Sequence, residues 1–431
     1  MTSQTPSAQN SAKKEGRLAF LKENLTKNAL PFLQKHFVTI AFLLAVSVCA
    51  LVLRISVYPD ESWDYTAFLS KWYKMLKENG GFAGIPKAYE GSAPSDYCPS
   101  YLYILAIITY LPVNALYAIK TVSVASDFVL AVYVGLIVRQ AAKTPAGFAL
   151  GYACALLLPN VFLNSAVWGQ CDVIYACFVI ISFYYLLKGK GITSMVFFGI
   201  AFSFKLQAIF FLPVIAVAVW KKKIEWQAPA FAIIPYFLMG LPALMMGVSV
   251  IHAYGIYFVQ MGEYADLTLN APNLYTWIVE LSTENTADLA RGMTFGAIGM
   301  TGLALYPLLQ TKYRLDSDDL WIIMAAFFAV FIPYVLPHMH ERYYYLADIF
   351  ALIFILRNPK KWYVGAACIL PSLFVVMKYL YFPHEEVIKL SIWAIVLLVG
   401  VFLMGAELYG SVQNNLLPPQ EEASQKKTSA E

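Results

Sequence analysis

The stretch FVTIAFLLAVSVCALVLRISV (37–57) carries a single charged side chain, Arg54, and its reading decides the fold. A helix rises 1.5 Å per residue, so about 20 apolar residues cross a hydrocarbon core of about 30 Å. Comparable runs recur at 228–250, 320–336 and 387–408. Shorter apolar blocks at 146–158, 173–187, 192–204 and 208–220 cross only if they pair as hairpins or tilt little. Hydrophobic residues make up 59% of the chain and charged residues 13%, against roughly a quarter charged in a soluble domain. The expected fold is all-α, a polytopic membrane protein with about 12–13 transmembrane segments.

The charges support that reading. Basic residues gather at span ends, at Lys188 and Lys190, Lys221 to Lys223, Lys312 and Arg314, and Arg357, Lys360 and Lys361. This is the positive-inside pattern of a membrane protein, not the basic face of a nucleic-acid binder. Polar and mixed residues precede the first span, which reads as a signal anchor with a cytoplasmic N-terminus. Residues 1–36 are expected to be a cytoplasmic tail with a short amphipathic helix, where Leu18, Leu21, Leu25 and Phe32 oppose Lys22, Lys27 and Lys35. Residues 37–411 form the membrane domain, with large outer loops at 58–99 and 251–291, and 412–431 a second cytoplasmic tail. The six cysteines show no disulfide framework. No glycine-rich loop offers a nucleotide site. One counting problem arises: the blocks 101–111 and 115–138 occupy a stretch that needs a single crossing. Either one of them is re-entrant, or the segment around Pro159 breaks into half-helices, which is tolerated where backbone lines a cavity.

The chemistry sits at the outer ends. YPDESWDY (58–65) places Asp60, Glu61 and Asp64 just beyond the first span. Tyr65, Leu69, Trp72, Tyr73 and Leu76 follow at helical spacing opposite Lys71, Lys74 and Lys77, an amphipathic helix expected to lie among lipid headgroups. Ser62 is placed to cap it, with Asp64 in the first turn. Gln170 and Asp172 in WGQCD (168–172), and Lys205 and Gln207 in FKLQ (204–207), interrupt apolar blocks; such residues are costly in a membrane and point to a cavity. Asp127 and Asp348 are read as interhelical or capping acids. LPHMHERYYY (336–345) gathers His338, His340, Glu341 and Arg342. Three readings stand for it: a His-x-His metal site, solvated polarity, and anion recognition through the guanidinium fork, of which the last is preferred. In the second loop Asn273 and Tyr275 suit sugar recognition by amide hydrogen bonds and stacking. No cofactor is expected, and a divalent cation such as Mg2+ or Mn2+ stays open.

DYTAFLSKWY (64–73), SDYCPSYLYIL (95–105), WGQCDVIY (168–175), FSFKLQAIFFLP (202–213), NAPNLYTW (270–277) and LPHMHERYYYLAD (336–348) together resemble the bacterial mannosyltransferase-like integral membrane proteins. These are related to the GPI mannosyltransferase II family and share the GT-C fold. The resemblance implies a glycosyltransferase that takes a sugar, usually mannose, from a polyprenyl-phosphate donor to a glycan or lipid acceptor on the outer face. It also implies an essential first-loop Asp, matched best by Asp64, with Asp60 and Glu61 next. SDYCPSYLY departs from the family's Asn-rich, double-proline form, which puts a role for Asp96 in doubt. The rival from another class is a transporter or flippase of lipid-linked saccharides, which commonly shows internal repeats that this sequence lacks.

The charge pattern makes a topological prediction. Cysteines introduced at Lys222 and Lys360 are expected to be blocked from membrane-impermeant thiol reagents in intact cells, and one at Glu90 to label. Labelling at 222 from outside reverses the orientation.

Overall fold

The computed structural model describes residues 27, 30–90, 94–260, 266–281, 287–383 and 388–415. The chain divides into two units, Met1–Leu51 and Val52–Glu431. In the first, the deciding stretch lies in a helix, Leu30–Ser56, which begins ahead of the expected span and continues into the second unit. The amphipathic helix expected before it falls largely outside the described residues, as does the tail after 415.

The second unit is helical nearly throughout. Its strands among the described residues are Thr268–Leu269 and Met339–His340, paired in parallel. Across the described chain seven helices are long and apolar enough to cross a membrane, or eight if one bent pair counts as a span. Pro99–Ile108, Asp172–Leu187, Gly191–Phe204 and Leu206–Trp220 are apolar but shorter. The larger number expected from sequence counted such short helices as crossings. The bent pair is the break expected near Pro159: Ala146–Leu157 and Pro159–Trp168 meet at 53°. Leu158, forced out of helical geometry by the proline ring that follows, is extended there (ψ 120).

Local chemistry explains the packing. Asn114 starts the Ala115–Ala142 helix by accepting from Leu116 N and Tyr117 N, and Lys143 ends it in the left-handed region. Thr144 then caps Pro145–Leu157 through Gly147 N. The two helices cross at glycine, for a Cβ on Gly151 would stand 2.9 Å from Gly135 Cα. At the centre the Asp318–Val335 helix has 83% of its apolar window buried, while Leu289–Leu309 has 11% and turns its side chains outward.

The first-loop helix corrects one expectation. A π-helical turn, Tyr65–Leu69, leads into Ser70–Glu78, with Leu69, Trp72, Tyr73 and Leu76 buried and Lys71, Lys74 and Lys77 exposed. The apolar face is covered by protein, not by lipid headgroups. Trp72 packs on Tyr97 with ring centroids 5.3 Å apart, because the Pro99–Ile108 helix and its approach lie beneath it.

At depth, Arg54 and Asp127 form a buried pair. Arg54 Nε donates to Asp127 Oδ2 at 2.8 Å and Nη2 donates to Leu156 O at 2.9 Å, closing a carbonyl that the break frees. Ser165 donates to the same carboxylate at 2.5 Å. Removing one partner strands a buried charge, so Asp127→Ala is expected to destabilise by about 3–5 kcal/mol. Unfolding of the purified protein in one detergent measures this, and a loss below about 1 kcal/mol would count against the pair.

Candidate active site

Three breaks in the helices aim side chains at one place. In the first loop, the Ser62 hydroxyl donates to Trp168 O at 2.6 Å and accepts from Tyr65 N at 3.2 Å. This capping turns Asp64 inward and leaves Asp60 and Glu61 exposed. The approach to the loop is held by Lys120, fully buried, whose ammonium donates to Val57 O (2.9 Å), Tyr58 O (3.2 Å) and Asp60 O (2.6 Å). Those carbonyls follow a helix end, where unpaired acceptors gather and a cation is favoured. The Asp64 carboxylate accepts from the Tyr379 hydroxyl at 2.6 Å and from the Gln170 amide.

The second break carries WGQCD. A π-helical turn, Leu163–Trp168, closes on Gly169 at φ 75, a backbone angle that glycine reaches without strain. Gln170 N then returns to Asn164 O at 2.9 Å. Asp172 opens the next helix, where the dipole favours a carboxylate. The third break is at Lys205, extended between two helical segments, with its ammonium 2.5 Å from Asp172 Oδ1. Asn164 Nδ2 donates to Asp172 Oδ2 at 2.8 Å. Tyr97 lies under Lys205 at 5.2 Å and donates to Gln170 Oε1 at 3.2 Å. Gln207 is buried in the turn that follows.

Arg342 reaches the same place from the HMHER segment. Its Nη1 is 3.6 Å from Asp64 Oδ2 and 3.6 Å from Glu341 Oε1, and its Nε is 3.9 Å from Asp172 Oδ2. All three distances exceed a hydrogen bond. The guanidinium is instead flanked by aromatic rings, 5.6 Å from Trp168 and 5.8 Å from Tyr343. Glu341 is buried, and desolvation pushes its carboxyl from the ordinary 4.5 up to about 7 against the pull of Arg342. His340 is driven down to about 2 by burial, with the charges of Arg342 and Lys205 adding to it. It therefore enters the site as a neutral ring, and the fixed cations here are Lys205 and Arg342.

The remaining predicted residues do other work. His338 takes a left-handed conformation (φ 60); its N–H donates to Leu267 O at 2.9 Å and its ring Nδ1 lies 2.7 Å from Asp266 O. Asn273 Oδ1 accepts from Tyr275 N at 3.1 Å, and Tyr275 OH donates to Val335 O at 2.6 Å. Both side chains are buried, so these polar groups brace the second loop against the end of the Asp318–Val335 helix. Among the described residues no three His, Cys, Asp or Glu side chains are grouped to hold a metal ion, so the His-x-His reading finds no ligand set there. Lys120, Asn164, Trp168 and Tyr379 escaped the sequence reading. Asn164 left a signal, a lone amide in an apolar block; Tyr379, one of 29 tyrosines, left none.

Glu341 gives the site a pH dependence. Between about 4.5 and about 7 its folded carboxyl keeps a proton that the unfolded chain has released, so this group's contribution to stability falls as pH rises through that window. Thermal unfolding of Glu341→Gln is expected to lose that slope between pH 5 and pH 8. Equal slopes in variant and wild type would mean that Glu341 is ionised in the fold.

A comparison with curated proteins finds none that matches. The profile of glycosyltransferase family 87 matches residues 97–356. That span covers more than half of the chain and takes in Gln170, Asp172, Lys205, Glu341 and Arg342, while Asp64 precedes it. The match and the helical fold together identify a membrane glycosyltransferase of GT-C type, and the chain belongs to glycosyltransferase family 87.

Proposed function

We propose that the protein transfers a sugar, mannose being the first candidate, from a polyprenyl phosphate to a hydroxyl of a glycan or lipid acceptor at the outer membrane face. The observation that carries this reading is a buried carboxylate, Asp64, 3.6 Å from a partly buried guanidinium, Arg342, in a family of glycosyltransferases. The acceptor oxygen attacks the anomeric carbon and its proton passes to Asp64. The bond from that carbon to the phosphate oxygen breaks, and its electron pair leaves with the polyprenyl phosphate. One displacement of this kind inverts the anomeric centre. Negative charge grows on the departing phosphate, so Arg342, with Lys205 behind it, favours the transition state over the bound substrate. Tyr379 and Gln170 hold the carboxylate in place through both oxygens.

The outer-face assignment rests on charge. The helices that begin or end at Asp172, Lys205 and Arg342 carry Lys188, Lys190 and Arg357 at their other ends, which the positive-inside rule assigns to the cytoplasm. The narrower kinship to the GPI mannosyltransferase II family belongs to this proposal, and family membership favours transfer over the transporter or flippase reading.

Labelled polyprenyl-phosphate sugars, supplied singly to the purified enzyme, test the donor. Asp64→Asn keeps shape but cannot take the proton, so turnover is expected to fall by roughly 10²–10⁴-fold with donor binding kept. Asp60→Asn and Glu61→Gln are expected to be mild. Arg342→Lys should be intermediate and Arg342→Ala severe in donor affinity, with thermal stability measured on the same samples. Near-normal turnover by Asp64→Asn moves the base elsewhere, and a stable Arg342→Ala that binds donor normally removes the phosphate assignment.

A further inference from the structure

Beneath Arg342 lies a small cavity of about 10 Å³ lined by Asn160, Asn164, Arg342, Tyr345, Asp348, Ser372 and Val376. Five of these residues each contribute a buried polar atom with no hydrogen-bond partner among the described residues: Asn160 Oδ1, Asn164 Oδ1, Arg342 Nε, Tyr345 OH and Asp348 Oδ1. Native proteins leave only a few such atoms per hundred residues, and here five belong to residues that line one space. The other side-chain polar atoms of Asp348, Asn160 and Asn164 are partnered. Asp348 Oδ2 accepts from Asn160 Nδ2 at 2.5 Å and from Ser372 Oγ at 2.8 Å, and Asn164 Nδ2 is engaged with Asp172.

We propose that this cavity holds one ordered water that ties Arg342 to Asp348, and that Asp348 is thereby a positioning residue for the Arg342 guanidinium. The donor and acceptor count selects water. Three of the five atoms only accept, Nε–H only donates, and the tyrosine hydroxyl does either. A water accepts from Nε–H, donates to Asp348 Oδ1 and to one amide oxygen, and leaves the Tyr345 hydroxyl to donate to the other. A cation would find the oxygens but would face the guanidinium N–H, a like charge. The volume is at the lower limit for a single water. Held through Nε from the membrane-depth side, the guanidinium keeps its Nη donors aimed at the opposite side, where Asp64 lies.

The functional half of this inference rests on Arg342 binding the donor phosphate; the water does not. The first test is a map of the full-length protein in lipid nanodiscs at a resolution that shows ordered waters. Density within hydrogen-bond distance of both Arg342 Nε and Asp348 Oδ1 is expected, and an empty, well-resolved cavity overturns the proposal. The second compares Asp348→Asn with Ser372→Ala. Asp348→Asn keeps the side chain's shape but can put an amide N–H where an acceptor oxygen faces the water, so donor KM is expected to rise on the order of tenfold with thermal stability nearly unchanged. Ser372→Ala cuts the hydrogen bond to Asp348 Oδ2 and leaves Oδ1 untouched, so it should leave KM as in wild type. If both variants lose stability alike and neither shifts KM, Asp348 only ties helices together and the positioning role is lost. Normal donor binding by Arg342→Ala would remove the phosphate reading, while the density still decides the water.

Discussion

Hydrocarbon offers no hydrogen bonds, and the placement of the site follows from that constraint. A helix that breaks within a membrane protein must have its freed backbone groups closed by protein. The breaks at Leu158, Gly169 and Lys205 bring in Asp172 and Lys205, and each is closed from within. Arg54 takes Leu156 O, Asn164 O takes Gln170 N and the Tyr257 hydroxyl takes Phe202 O, while Lys120 takes the carbonyls that follow the first helix. Because these closures use cations and amides at fixed positions, the polar interior is built into the fold before any substrate arrives.

The charges of the site are balanced in an instructive way. Asp64, Asp172 and Glu341 face Lys205 and Arg342, and Lys205 is committed to Asp172. Arg342 stands near all three acids but at hydrogen-bond length from none of them. A tight bidentate pair would have to be broken before the guanidinium could serve an incoming anion, whereas loose contacts of this kind leave its fork available. Burial raises the Glu341 carboxyl to about 7, so it carries only part of its charge near neutral pH, which limits the excess of negative charge. In the proposed reading, a phosphate beside Arg342 would strengthen that tendency.

Much of this was legible before the fold was seen, and the reasons are specific. Long apolar runs carry their meaning locally, so the membrane class follows from composition, while the break before Pro159 was one of two alternatives that the crossing count left open. Asp172 and Lys205 stood out because ionisable groups beside apolar blocks are costly and few, whereas the family resemblance picked Asp64 from Asp60 and Glu61, and the guanidinium fork picked Arg342 from its cluster. The first-loop helix was recognised by its periodicity, yet periodicity says which face is apolar and not what covers it; here Tyr97 and its neighbours do. Asn273 and Tyr275 have the right chemistry for sugar, but their partners, Leu336 O and Val335 O, are backbone atoms that no sequence motif announces. Tyr379 lies 315 residues from the carboxylate it touches, and nothing local marks it.

That separation has a consequence for how the enzyme comes into being. Asp64 is made early and Tyr379 late, 315 residues apart. At translation rates of about 5–20 residues per second, the hydroxyl emerges roughly 15–60 s after the carboxylate it will orient. For the part of that interval between Lys205 and Arg342, Asp64, Gln170 and Lys205 can already be in the membrane with Arg342 and Tyr379 unmade. A nascent chain therefore carries an acid with neither its guanidinium neighbour nor its tyrosine, and a ribosome stalled before codon 342 leaves an anchored but incomplete site. In the proposed reading, activity begins only once the helix that carries Tyr379 is inserted, which ties the onset of catalysis to a late step of synthesis.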